Sequence, residues 1–201
     1  MNNKAPNWAH STMVCGGKGT GKSTFVNRII SVTPYKNVLV YLEPVNIMEG
    51  TFKPLPEAKF SQYAGGKALI DSTDVDIYTF LDFVEKYFRD GMIVIDEAGL
   101  YDLMVRNKAN GNLEPCKPLL YILKHQRKYN ITIYLIYHSL SEIPVRLIKW
   151  MNNFVLFHQV DEFKHKGAVI PRIDELNAAK ARIAKKYFGG NRYYNEVIPL
   201  M

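Results

Sequence analysis

Short apolar runs alternate along the chain with longer stretches in which apolar residues recur at helical spacing. This alternation is typical of a parallel sheet whose strands are joined by crossover helices. We therefore predict an α/β fold with a mostly parallel five-stranded sheet flanked by helices. The five predicted core strands are Ser11–Cys15, Asn37–Glu43, Met92–Asp96, Ile131–Tyr137 and Phe154–Val160.

Helices are predicted wherever apolar residues fall on one face of a 3.6-residue period. In the clearest case this face includes Ile77, Leu81 and Val84, with Thr73 as the expected N-cap and Gly91 at the end. The other predicted helices are Lys22–Ile30, Lys117–Tyr129, Pro144–Met151 and Ile173–Phe188.

Three stretches have no clear period. Residues 44–70, which open with Pro44 and are rich in proline, glycine and lysine, are expected to be irregular with one short edge strand. Residues 99–113 are expected to form a loop with a turn signal at Asn110–Asn112. The aromatic tail from Gly189 fits no element.

A glycine-rich segment between the first strand and the first helix carries the strongest chemical signal. Its residues Gly16–Ser23 match G-x-x-x-x-G-K-[S/T] at every fixed position. Glycines allow the backbone to wrap around an anion, and the helix start directs further N–H groups at the same point. The alternative is a glycine-rich turn that only resembles the motif. The strand before the motif and the helix after it argue against that alternative.

The motif predicts a site for ATP and Mg²⁺. The Lys22 ammonium is expected to reach the β- and γ-phosphates, the Ser23 hydroxyl to ligate Mg²⁺, and Thr24 to contact the α-phosphate side. The predicted phosphate-binding residues are Gly16, Gly17, Lys18, Gly19, Thr20, Gly21, Lys22, Ser23 and Thr24.

An acidic pair, Asp96 and Glu97, ends the third predicted strand. Because this strand is wholly apolar, we expect it to be buried and to deliver Asp96 to the carboxyl edge of the sheet, where it can hold Mg²⁺ through water. Glu97 is the expected general base for the attacking water. A solvated acidic pair is the alternative, which the P-loop disfavours. The pair favours ATP hydrolysis over a small kinase, and the sequence lacks the Asn-Lys-x-Asp motif that reads guanine.

The fourth predicted strand ends in His138 and Ser139. P-loop ATPases with an Asp–Glu pair commonly place one strand between the P-loop strand and the acidic strand, which gives the order 5-1-4-3-2 of the RecA/ASCE type. In that order His138 or Ser139 lies near the γ-phosphate and can sense it through a hydrogen bond. A neutral surface histidine is the alternative.

Two arginines, Arg127 and Arg146, are candidate arginine fingers. A guanidinium that reaches into a neighbouring subunit's site stabilises the charge on the transferred phosphoryl group. Each arginine can instead be solvated or can contact DNA.

Composition narrows the class further. A chain of 201 residues fits one α/β domain, its longest apolar runs are too short to span a membrane, and its first seven residues lack the apolar core of a signal peptide. Two cysteines, Cys15 and Cys116, make neither a disulfide framework nor a zinc motif, which favours a reducing, cytosolic setting.

The net charge is +7, and residues 117–149 hold six basic residues and one acid. This stripe can bind a polyanion such as DNA, or it can simply be solvated.

At four places the chain resembles the FtsK–HerA group of DNA-pumping ATPases. Within that group it is most similar to the small genome-packaging ATPases of tailless icosahedral viruses, many of which contain an internal membrane. The likeness is carried by Gly16–Ser23, Ile93–Glu97, Lys124–Ile131 and Ile131–Pro144. Family members usually carry glutamine or a similar polar residue where this chain has His138. The likeness covers most of residues 8–160, with residues 161–201 as a C-terminal helix and tail of the same single domain.

The resemblance implies a hexameric ring that threads double-stranded DNA into a preformed capsid, with subunits supplying arginines to one another's sites. It implies a location in the host cell cytoplasm or at the virion vertex. Residues 44–70 and 189–201 are candidate segments for docking to a capsid vertex or a membrane protein. The residues alone leave three alternative functions open: a filamentous-phage-type assembly ATPase, a small kinase, and a non-motor ATP-dependent switch. They also do not decide whether the DNA is single- or double-stranded.

Overall fold

The computed structural model describes residues 9–42, 52–109, 111–163 and 169–200. Predictions for the first seven residues, for Glu43 and Pro44 at the end of the second strand, and for Asn110 in the expected turn lie outside these ranges. Within the described ranges, no helix is both long and apolar enough to cross a membrane.

Among the described residues, eight strands form one sheet. They are β1 (Ser11–Cys15), β2 (Asn37–Leu42), β3 (Lys53–Pro54), β4 (Lys67–Asp71), β5 (Gly91–Ile95), β8 (Ile131–Tyr137), β9 (Asn153–Leu156) and β10 (Glu196–Pro199). Their order is β10-β9-β1-β8-β5-β2-β4-β3, and every neighbouring pair is parallel except β10 and β9. Two more strands, β6 (Met104–Arg106) and β7 (Leu113–Pro115), form a separate antiparallel hairpin.

Helices pack on both faces of this sheet. They are α1 (Lys22–Val32), α2 (Ile77–Tyr87), α3 (Lys117–Tyr129), α4 (Val145–Ile148) and α5 (Ile173–Phe188). Successive residues of a strand point to opposite faces, so each central strand contributes to two apolar layers. In β1, Val14 packs in one layer with Val26 and Ile30 of α1. Met13 and Cys15 pack in the other layer, which holds the apolar faces of α2, α3 and α5.

The start of α2 is set by an aspartate. The Asp76 side chain accepts hydrogen bonds from the backbone N–H groups of Tyr78 and Thr79, at 2.9 and 3.0 Å. The prediction that Thr73 caps this helix is wrong, because the Thr73 hydroxyl donates to the Asp71 carboxylate at 2.7 Å within the preceding turn. A cap must have an acceptor in reach of the first free N–H groups of the helix, and only the aspartate meets that condition here.

Two stretches contain more strands than expected. The described part of 44–70 has a short edge strand, β3, as predicted, and in addition β4, a parallel strand with alternating burial next to β2. The expected loop 99–113 contains β6 and the start of β7, so this segment is a hairpin. Gly91 opens β5 instead of ending a helix, and a side chain there would meet the ring of Phe88. The tail adds β10, and β9 ends at Leu156, earlier than predicted.

The carboxyl ends of the central parallel strands meet at one edge of the sheet. Strand register places Cys15 of β1 level with Tyr137 of β8 and with Leu156 of β9. Ile95 of β5 pairs with Leu135, two residues before the end of β8. The segments that follow β1, β5, β8 and β9 are therefore neighbours, although they are far apart in the sequence. In open α/β sheets this edge is where ligands bind.

Candidate functional site

A cavity of about 600 Å³ lies at this edge. Seven consecutive residues of the glycine-rich segment, Lys18–Thr24, line it together with Asp96, Glu97, His138 and Tyr193. The strand ends thus bring together three segments that the sequence linked to phosphate chemistry. The first two glycines of the motif are not part of the lining.

Local backbone geometry explains why glycine occupies two positions of this segment. Gly19 and Gly21 have φ angles of 74° and 97°, in the left-handed region that favours glycine. The loop is held to the sheet by hydrogen bonds from the backbone N–H groups of Gly16 and Gly17 to the carbonyl oxygens of Tyr137 and His158, at 3.3 and 2.9 Å. Because Gly21 is the N-cap of α1 and has no side-chain acceptor, the first N–H groups of the helix are open to an anion.

Lys22 is packed against this loop, and the residue is only 5% exposed. It donates to the carbonyl oxygens of Gly16 and Gly17, at 2.5 and 2.9 Å, and lies 3.2 Å from Nδ1 of His138. Burial lowers the pKa of Lys22, and nearby anionic groups, including Asp96, offset part of this shift. Because Lys22 is already largely shielded from water, pairing its ammonium with a bound anion adds only a small further desolvation cost.

The acidic pair lies directly after β5. Oδ1 of Asp96 accepts a hydrogen bond from the backbone N–H of Glu97 at 3.0 Å, and burial raises the pKa of Asp96. Glu97 itself has a φ of 49°, which costs a residue with a side chain on the order of 1 kcal/mol. This turn brings the Glu97 carboxylate to 3.3 Å from Nε2 of His138.

His138 therefore bridges the lysine and the glutamate. An ammonium can only donate, so the contact with Lys22 requires Nδ1 to be unprotonated, and the proton of the neutral ring is then on Nε2. Nε2 faces the Glu97 carboxylate at 3.3 Å. One imidazole ring thus connects the phosphate-binding loop to the acidic pair.

Two further carboxylates fix the loop that carries His138. Asp161, located after β9, accepts hydrogen bonds from the Ser139 hydroxyl and from the backbone N–H of Ser141. Burial raises the pKa of Asp161, but these hydrogen bonds outweigh burial and the net shift is downward. The Glu142 carboxylate accepts from the backbone N–H of His138 at 3.3 Å. Ser139 therefore supports this loop, and it does not line the cavity.

Comparisons with known proteins give a match only at the level of structure. No family model matches the sequence, and no curated protein does. The genome packaging NTPase B204 from Sulfolobus turreted icosahedral virus 2, solved with ATPγS, matches with a TM-score of 0.64 at 12% identity, over 95% of this chain and 92% of that one. The same protein with sulfate gives 0.65 at 12% identity, over 95% and 91%. The DNA-packaging ATPase B204 from Sulfolobus turreted icosahedral virus gives 0.59 at 11% identity, over 96% and 94%.

This chain shares its fold with the viral genome packaging NTPase B204. This confirms the resemblance inferred from the sequence motifs as a likeness of fold. Since identity is so low, the comparison extends to the arrangement of strands and helices and not to individual residues.

The two arginines predicted as fingers do not line the cavity. Arg127 is exposed near the end of α3, which leads into the first residue of β8 and so lies toward the opposite edge of the sheet. Arg146 is exposed on α4 and donates to the Asn112 side chain at 2.7 Å, beside the hairpin. Neither arginine is placed to act in the site of its own chain.

Three residues near the site carried no sequence signal. Glu142 stood out only as the single acid in a basic segment, and Asp161 follows a strand without any motif. Tyr193 belongs to the unclassified tail, yet its ring reaches the P-loop. Asp161 and Tyr193 reach the site through contacts between distant segments, which no local pattern encodes, whereas Glu142 contacts the backbone of His138 only four residues away.

Proposed function

We propose that this chain is an ATP-hydrolysing DNA translocase that packages a viral genome into a preformed capsid. The proposal rests on one cavity. It is lined by the anion-binding loop with Lys22, by the acidic pair Asp96 and Glu97, and by His138. This cavity lies on a fold shared with genome-packaging NTPases. The strand order supports a P-loop domain of the RecA/ASCE type, with residues 8–160 as its core and residues 161–201 as the C-terminal helix and tail of one domain.

ATP would bind with its phosphates on Gly16–Thr24. The open N–H groups at the start of α1 and the buried Lys22 ammonium provide positive charge for the β- and γ-phosphates. Turnover requires an attacking water, and the Glu97 carboxylate is the group that would orient it and accept its proton.

Mg²⁺ would be held by Ser23 and Asp96. Both residues line the same cavity, and hydroxyl and carboxylate oxygens are of the hard type that Mg²⁺ prefers. Across the described part of the chain, no group of three or more His, Cys, Asp or Glu side chains could hold a metal by itself. The fit is therefore to a metal that takes its remaining ligands from phosphates and water, where it neutralises phosphate charge.

His138 would act as the γ-phosphate sensor. In the present arrangement its two nitrogens contact Lys22 and Glu97. A bound γ-phosphate competes for the Lys22 ammonium, so binding would break one of these contacts and free the ring. The imidazole can then hydrogen-bond the phosphate and release the Glu97 carboxylate to the attacking water.

A hexameric ring would complete each site. Because Arg127 and Arg146 are exposed and away from the cavity of their own chain, they are candidates to act in the site of an adjacent subunit. A finger supplied in this way makes hydrolysis dependent on assembly.

Double-stranded DNA is the proposed substrate of the ring. The basic residues of the 117–149 stripe include Lys124 and Lys149, whose ammonium groups lie 5.9 and 6.0 Å from the ring centre of Trp150. Cations grouped on α3 and around α4 are suited to neutralising phosphates. The protein would act in the host cytoplasm and would dock to a capsid vertex or to a membrane protein.

One experiment tests the motor function directly. The ATPase rate is measured with and without double-stranded DNA, alongside size-exclusion chromatography of the ATP-bound protein. We expect DNA to stimulate hydrolysis, ATP to promote a ring, and DNA affinity to fall steeply as salt rises. Lys22→Ala is the matched control and should abolish turnover. A protein that stays monomeric and hydrolyses ATP at the same rate with and without DNA would contradict a translocase.

A further inference from the structure

The P-loop lies between the acidic pair and the C-terminal tail. It follows β1, and the acidic pair follows β5, which is two strands away across β8. On the other side of β1, Leu156 of β9 is level with both Cys15 of β1 and Glu196 of β10. Tyr193 stands just before Glu196, so it reaches the P-loop from the side opposite the acids.

The Tyr193 ring lies against the first turn of α1. It lines the cavity, is 67% exposed, and would be 2.8 Å from a Cβ atom on Gly21. The face of an aromatic ring is apolar and polarisable, so it can stack against another planar ring. Here one end of the phosphate-binding cavity is an exposed aromatic surface.

The segment that carries the ring is held in place. It joins α5 to β10, and the backbone N–H of Asn191 donates to the Lys186 carbonyl at 2.9 Å. The Tyr194 hydroxyl donates to the Glu196 carboxylate at 3.3 Å, and Arg182 binds the same carboxylate. A ring positioned before ligand binding loses little conformational entropy when a ligand stacks on it.

We infer that Tyr193 is the platform on which the base of a bound nucleoside triphosphate stacks, an inference that rests on the proposed nucleotide site. When the phosphates lie on the P-loop with the terminal phosphate toward the acidic pair, the base leaves the loop on the opposite side. Tyr193 is the aromatic residue that lines the cavity there. Stacking on an aromatic face accepts every base, so ATP and GTP gain similarly from this contact.

The test compares a nucleotide with its phosphate chain alone. Dissociation constants of ATP, GTP and inorganic tripolyphosphate are measured with Mg²⁺ for the unaltered protein, Tyr193→Ala and Tyr193→Phe. We expect Tyr193→Ala to weaken ATP and GTP about tenfold and to leave tripolyphosphate unchanged, because one base-stacking contact is lost. Tyr193→Phe keeps the ring and should bind all three ligands as the unaltered protein does.

Phe188→Ala is the matched control. Phe188 is another exposed aromatic residue, packed edge-on against His158, and it does not line the cavity. Its loss should leave all three affinities unchanged. Tyr193→Ala binding ATP normally, or losing tripolyphosphate equally, overturns the inference. An unaltered protein that binds none of the three ligands refutes the proposed function itself, so the two failures are distinguishable.

Discussion

At the scale of single residues, the ring of His138 contacts both the phosphate-binding loop and the acidic pair. The ring has one acceptor, facing Lys22 at 3.2 Å, and one donor, facing Glu97 at 3.3 Å. A glutamine amide likewise combines an acceptor, its carbonyl oxygen, with a donor, its NH₂ group, on a short planar group. This explains how histidine can stand where the resembling family usually has glutamine.

Replacing His138 separates sensing from binding. His138→Ala removes both contacts of the bridge, so we expect kcat to fall at least about tenfold while the ATP dissociation constant changes little. His138→Gln is the matched variant and should keep most of the turnover, because an amide has an acceptor for Lys22 and a donor that can face Glu97. Steady-state hydrolysis and equilibrium ATP binding are measured for each variant. Normal turnover in His138→Ala, or a glutamine variant as slow as the alanine variant, would exclude the sensor role.

At the scale of elements, the N-cap of α2 is a local determinant of stability. Hydrogen bonds from the Thr79 side chain and backbone hold the pKa of the Asp76 carboxyl below its ordinary value. A lowered pKa in the folded protein means that the carboxylate stabilises the fold fully above the pKa of the unfolded chain. That stabilisation is lost as the pH falls through the lower, folded value.

Removing this cap should therefore have an effect that depends on pH. Asp76→Ala is expected to lower the free energy of unfolding by about 1 kcal/mol near neutral pH, and the difference should shrink below about pH 4. Urea unfolding at the two pH values measures this change. Asp74→Ala, in the same exposed turn, is the control and should cost little at either pH. A loss for Asp76→Ala that is the same in acid would show that the charge of the cap is unimportant.

Strands made of continuous apolar runs could be located from the sequence, whereas strands with alternating or sparse burial could not. Strands such as β8 are buried along their whole length, so their apolar pattern alone identifies them. In contrast, β4 buries every second residue and β10 buries one of four, which gives weak patterns among proline, glycine and charged residues. The same limit applies to the site. The P-loop residues are adjacent in sequence, but Tyr193 reaches them only because β10 returns to the sheet edge beside β9.

At the scale of the whole molecule, the described residues that line the cavity include no arginine, so the proposed arginine finger would have to come from an adjacent subunit of the proposed ring. Within the described residues, Lys18 and Lys22 are the lining residues with a cationic side chain, and Lys22 belongs to the loop itself. Arg127 lies toward the opposite edge of the sheet in its own chain. If a ring places the Arg127 edge of one subunit against the cavity of the next subunit, Arg127 would supply a guanidinium to that cavity.

Mixing two inactive variants tests this arrangement. Arg127→Ala should abolish turnover and spare ATP affinity, while Lys22→Ala lacks the phosphate-binding ammonium. In a ring that mixes them equally, about a quarter of the interfaces pair an intact Lys22 with an intact Arg127 from the adjacent subunit, so hydrolysis should return. Turnover of the mixture is compared with that of each variant alone, and size-exclusion chromatography verifies that both variants enter rings. If Arg127→Ala hydrolyses ATP normally, or if mixed rings stay inactive, Arg127 is not the finger, and Arg146 becomes the residue to test in the same way.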